Sequence, residues 1–190
     1  MSLFLVGLLI AAILAVAWGV SLYNALVRLK HGVSKAWSNI DVLLKQRHDE
    51  LPKLVETCKQ YMQHERQTLE AVISARNAVS NAREQHDIGA LGTAETGLRL
   101  GLGKLFALAE NYPELKANES FQFLQQRISG LENGIADRRE LYNEAVNLNN
   151  VRIEQFPDVL IARHFNFTAA ELLRFTDAEK ADVDIKSLFG

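Results

Sequence analysis

YNALVRLKHGVSKAWSNID, residues 23–41, joins two chemistries in one stretch. The chain's 21 basic and 23 acidic side chains all lie from Arg28 onward. Behind Arg28 stands SLFLVGLLIAAILAVAWGVSLYNALV, residues 2–27, without a single charge. Across the boundary Leu22, Leu26, Leu29, Val33, Trp37, Ile40 and Leu44 recur at intervals of three and four. That is helical periodicity, and it does not break where the charges begin. The spacing predicts one helix that starts wholly apolar and becomes amphipathic.

A bilayer core about 30 Å thick needs roughly 20 apolar residues in a helix, and residues 1–27 are read as such a transmembrane anchor. Trp18 and Tyr23 stand near one end, where amphipathic rings favour the membrane interface. Gly7, Ala11, Ala12 and Ala15 fall near one face; they either let a second helix approach or simply face lipid. The competing reading is a cleaved signal peptide with Ala15-Val16-Ala17 as its site. That reading lacks the positively charged segment a signal peptide carries ahead of its apolar core. Arg28, Lys30 and Lys35 follow the span and no basic side chain precedes it. The positive-inside rule then leaves a short N-terminus outside and the remainder in the cytoplasm.

The net charge of −2 excludes a dedicated nucleic-acid binder, which would carry a basic face. One cysteine, Cys58, excludes an internal disulfide and a cysteine-based zinc site. On the apolar face of its helix it reads as a small core residue. Prolines occur only at 52, 113 and 157, and the stretches between them are rich in strong helix formers. The fold class is all-α: the apolar helix followed by an antiparallel bundle of long helices over residues 28–175, with 176–190 as a tail.

Pro52 leaves two readings open. Asp49 caps a new helix with Pro52 in its first turn, or one helix continues through a kink. The apolar phase through Ile40, Leu44, Leu51, Leu54, Cys58 and Met62 favours a single bent rod reaching about Asn81–Glu84, with Arg47 as the polar exception. Two glycines in EQHDIGALG break the pattern, and Asp87 is placed to start a third helix over roughly 90–110. Asn111-Tyr112-Pro113 is a turn. Ala117, Phe121, Leu124, Ile128, Leu131, Ile135, Arg138, Tyr142 and Ala145 then predict a long helix from about Pro113 to Gln155, with a period close to a coiled-coil seam. PDVLIARHF reads as one or two short turns, and Thr168-Ala169-Ala170-Glu171 as a capping box opening a short helix. In the tail, Leu188-Phe189 is a candidate for docking.

The assembled motifs resemble the LemA family. The match runs through Tyr23-Asn24, Leu26-Val27, Ala36-Trp37-Ser38, Ile40-Asp41-Val42, Leu44-Lys45, Arg47-His48-Asp49, Leu51-Pro52 and Leu54-Val55-Glu56-Thr57. It resumes at Tyr142-Asn143, Val146, Asn149-Asn150, Ile153, Phe156-Pro157 and Ile161-Ala162. The resemblance implies a short external N-terminus, one transmembrane helix in a bacterial inner membrane, an antiparallel helical bundle and no enzymatic activity. Genes of the family often stand beside those of membrane metalloproteases of the HtpX type or of other membrane proteins, and the resemblance therefore implies a membrane partner, such a protease among the candidates. Where the family usually carries a second Tyr-Asn pair, this chain has Asn149-Asn150. Candidate interaction positions are Tyr23, Asn24, Trp37, Asp41, Arg47, His48, Pro52, Tyr142, Asn143, Phe156 and Pro157. Both Tyr-Asn pairs are expected near the membrane-proximal end of the bundle, Trp37 either in the core or at a partner contact, and Arg47 and His48 at the surface.

Catalytic signatures are weak. None of the five histidines forms H-E-x-x-H. GLRLGLGKL, residues 97–105, departs from a phosphate loop in its glycine spacing and in Leu105 after Lys104. Its glycines, with Gly130 and Gly134, read as sites of close helix packing or as loosened helix. No catalytic residue, metal site or cofactor is expected. The chain is expected to act as a membrane-tethered helical scaffold that self-associates, or as a regulatory partner of a membrane protease.

Overall fold

A computed structural model describes residues 2–174, with side chains from residue 3; the tail 176–190 and Leu188-Phe189 lie outside the described residues. Among the described residues six helices follow one another: α1 (Ser2–Lys59), α2 (Arg66–Glu84), α3 (Ile88–Ala109), α4 (Pro113–Lys116), α5 (Glu119–Glu154) and α6 (Asp158–His164). No strand occurs among the described residues. The all-α fold class and the long apolar N-terminal helix stand as the sequence predicts.

Two compact units divide the chain: residues up to Asn39 with Arg138–Leu172, and Ile40–Asp137 with the residues from Leu173. In the first unit, Trp37 of α1 packs edge-on against Tyr142 of α5 with ring centroids 5.9 Å apart. Leu26 clusters with Ile153 and with Ala162 of α6. Eleven residues separate each pair of positions along its own helix, in opposite directions, so α1 and α5 run antiparallel in register here. In the second unit, Arg47 pairs with Glu132 and Gly134 faces Leu43, so the antiparallel order holds there as well. α2 and α3 pack on one another. The core comprises the stripes read from the sequence, among them Leu51, Leu54, Val55, Cys58 and Met62 with Leu98, Leu102, Leu105, Phe121 and Ile128, all buried. Each such large apolar side chain contributes about 1.5–3 kcal/mol.

α1 runs through Pro52 without ending. Proline lacks the N–H that would reach the carbonyl four residues back, which is that of His48. The Nε of Arg76 on α2 supplies the missing donor at 2.9 Å. The continuous rod to residues 81–84 is corrected: α1 stops at Lys59, and Gln60–Glu65 turn the chain into α2. No glycine or proline marks that turn. Met62 is buried there, and side chains from the α3–α5 connection reach it: Asn118 donates to the Tyr61 hydroxyl at 3.2 Å, and the Tyr112 hydroxyl donates to Glu65 at 3.4 Å.

Asp87 caps α3, its carboxylate accepting from the Ala90 N–H at 2.8 Å. The helix expected from Pro113 to Gln155 is two helices. The Asn118 side chain accepts from the Phe121 N–H at 3.0 Å and so caps α5 afresh. The short helix expected from Thr168 does not form among the described residues, where 167–174 is irregular. In a capping box the Glu171 N–H would turn back to the Thr168 side chain; here the segment is held instead by Asn150, which accepts from the Ala170 N–H at 2.8 Å.

Candidate functional site

The strongest site candidate lies where α1 leaves its apolar stretch. Every large apolar side chain from Leu3 to Val20 is exposed. Leu22 is the first buried one, followed by Leu26. One helix among the described residues is long and apolar enough to cross a membrane, and its 18-residue apolar window has none of its residues buried inside the fold. At 1.5 Å per residue that window spans about 27 Å, close to the bilayer core. A water-facing helix does not expose twelve large apolar residues without a partner phase, because their burial is the dominant favourable term in folding and association.

Tyr23 begins the packed part of α1. Its ring lies 4.8 Å from Phe165 and 5.8 Å from Phe167, centroid to centroid. Asn24 beside it is exposed. Tyr142 is buried and its hydroxyl donates to the Glu171 carbonyl at 2.9 Å; burial, then the Glu171 charge, raises its pKa. Because Tyr142 stands beside Trp37, it is fourteen residues, roughly 21 Å along α1, from the level of Tyr23. The two Tyr-Asn pairs therefore do not share the membrane-proximal level expected of them. Trp37 and Asn143 are half-buried.

Asn149 and Asn150 hold the segment after α6. Asn150 donates to the Ala170 carbonyl and accepts from the Ala170 N–H, both at 2.8 Å. Asn149, buried, donates to the Thr168 carbonyl at 3.5 Å. A side-chain amide matched to the N–H and the C=O of one residue does what a neighbouring strand would do. Phe156 and Pro157 join α5 to α6 through a cis peptide bond, with Phe156 exposed. Buried Asp158 accepts from Arg152 at 2.7 Å and ties the two helices together.

In the second unit, Arg47 is corrected from surface to core: it is 1 % exposed and donates to Glu95 of α3, itself 3 % exposed, and to Glu132 of α5. Burial alone would lower the Arg47 pKa, and the two carboxylates more than offset it, leaving it raised. Burial raises the Glu95 pKa, with Arg47 opposing. Arg47 Nε is buried with no hydrogen-bond partner. The sequence offered one signal for this cluster, a lone arginine in an apolar stripe; it did not point to Glu95 or Glu132. His48 is half-buried, and burial, then Arg76, lowers its pKa. Asp41 lies 3.8 Å from Arg83. Exposed Pro52 lines a shallow groove with Val55, Val72 and Ile73. Burial pushes the Cys58 thiol up to about 12, which makes it inert at neutral pH. Among the described residues no group of three or more His, Cys, Asp or Glu side chains could hold a metal ion.

Comparison with known proteins places residues 36–186 in register with the LemA family. The chain is 25 % identical over 190 residues to magnetosome protein MamQ 2 of Paramagnetospirillum magneticum, covering 88 % of this chain and 70 % of that protein. It is 24 % identical over 172 residues to magnetosome protein MamQ of Magnetospirillum gryphiswaldense, covering 78 % of this chain and 63 % of the relative. It is 25 % identical over 167 residues to protein LemA of Metamycoplasma hominis, covering 87 % of this chain and 74 % of the relative.

Proposed function

We propose that this chain, which belongs to the LemA family, is a single-pass membrane protein whose helical bundle works as a non-enzymatic scaffold at the bilayer surface. The observation that carries the reading is the continuity of α1. Eighteen apolar residues with none buried pass without a break into Leu22 and Leu26, which are core residues of the folded part. A span joined to a bundle by unbroken helix holds that bundle beside the membrane. Arg28, Lys30 and Lys35 support placing the bundle on the cytoplasmic side.

Self-association at the membrane is part of this reading. Leu141, Leu148 and Val151 are exposed on α5 at spacings of seven and three, one face of a helix. Gly7 and Ala11 give the span a small-xxx-small face. The test is the mass of the full chain solubilised in mild detergent, with the detergent contribution measured separately. The scaffold reading expects one fixed oligomer, weakened by Leu148→Glu. A monomer at every concentration contradicts it.

A further inference from the structure

We propose that the α5–α6 turn is a second membrane contact, a surface that seats in the headgroup layer of the same bilayer that α1 crosses. The inference rests on the reading of α1 as a span. The antiparallel register fixes the level: Trp37 lies beside Tyr142 and Leu26 beside Ile153. Three residues back along α1 from Leu26 stands Tyr23, and three residues on from Ile153, just past the end of α5, stands Phe156, which puts the α5–α6 turn near the level where the exposed apolar stretch of α1 gives way to packed helix. Phe165 is held at the same level by its ring contact with Tyr23.

The side chains at that level fit lipid. Phe156 is 80 % exposed, more than any other large apolar side chain after Val20 among the described residues, and Leu160 and Phe165 are 59 % and 51 % exposed. Their neighbours Ile153, Ala162 and Ile161 pack inward, so the outward residues are held on a fixed frame. Arg28, Lys30 and Arg163 are exposed at this end of the unit and match anionic headgroups. Glu154 is the exposed acid among them, and Asp158 is paired with Arg152. Apolar side chains flanked by basic ones are the composition of interfacial segments. The occupant is the bilayer because the patch continues the apolar surface of the span.

Nitroxide labels at Phe156→Cys, Leu160→Cys and Ile10→Cys, with an aqueous reference at Glu114→Cys, test this in the full chain. The chain is reconstituted into phosphatidylcholine vesicles containing a minority of phosphatidylglycerol. Power saturation compares collision with oxygen and with a water-soluble nickel chelate. Labels at 156 and 160 are expected to show an oxygen-to-nickel ratio several-fold above that at 114 and below that at 10. Ratios at 156 and 160 equal to that at 114, with 10 in lipid, overturn the proposal and leave the span intact. Labels at 156 and 160 shielded from both reagents report a protein partner and also overturn it. An aqueous label at 10 refutes the span itself and the proposal with it.

Discussion

Arg76 donates through Nε to the carbonyl of His48 at 2.9 Å, and that carbonyl is the one Pro52 leaves without a helical partner. The contact explains how α1 carries a proline without ending. Leaving a buried acceptor unsatisfied costs about 1–3 kcal/mol. Arg76→Met is therefore expected to destabilise the fold by about that amount. Pro52→Ala, which restores the N–H four residues on, should remove most of the penalty. Chemical denaturation of both single variants and the double gives the coupling; an Arg76→Met penalty unchanged by Pro52→Ala would show that the carbonyl is satisfied otherwise.

The buried Arg47–Glu95 pair sets up a second contrast. Arg47→Ala strands the Glu95 carboxylate in the core, and losing one partner of a buried pair costs about 3–5 kcal/mol. Arg47→Met combined with Glu95→Met removes both charges and should recover most of that loss. Glu132, partly solvent-accessible, keeps its own hydration in the double variant. A double variant as unstable as Arg47→Ala would mean that packing rather than charge dominates the site.

Asn150 clasps both polar groups of Ala170. Asn150→Ala is expected to cost about 1–3 kcal/mol and to speed hydrogen exchange at the Ala170 amide by at least an order of magnitude. Asn147→Ala, at an exposed position of the same helix, should change neither. Unaltered exchange at Ala170 in the Asn150 variant would remove the clasp from the account.

Two glycines of α3 have opposite expected outcomes. A Cβ at Gly92 would lie 2.0 Å from the Arg174 carbonyl oxygen, while nothing stands within 4 Å of one at Gly97. Gly92→Ala must displace the backbone at Arg174 and is expected to destabilise by about 1–3 kcal/mol. Gly97→Ala gains helix propensity and is expected to stabilise by about 0.5–1 kcal/mol. Melting temperatures of the two variants should move in opposite directions; a shared direction would contradict the close approach at Gly92.

Periodicity made most of the fold legible. Leu26, Ile40, Leu44, Leu54, Phe121 and Ile128 occupy the core face that their spacing indicates. The turn at Gln60–Glu65 was not legible, because contacts from Tyr112 and Asn118 hold it where no breaker residue stands. Thr168–Glu171 carries a helix-start pattern, and tertiary hydrogen bonds from Asn150 and Tyr142 override it. Arg47 was visible as an anomaly, but its partners lie 48 and 85 residues away in sequence, beyond the reach of any local pattern. The level of the α5–α6 turn near Tyr23 likewise needs the α1–α5 register, which no single helix encodes.

The central claim is that α1 holds the chain in a bilayer, and alkaline carbonate extraction of membranes bearing the full chain tests it most directly. The account predicts that the protein stays with the membrane pellet, with residues 2–21 still present in its amino-terminal sequence. Release into the carbonate supernatant, or a mature chain that begins after Ala17, would contradict it.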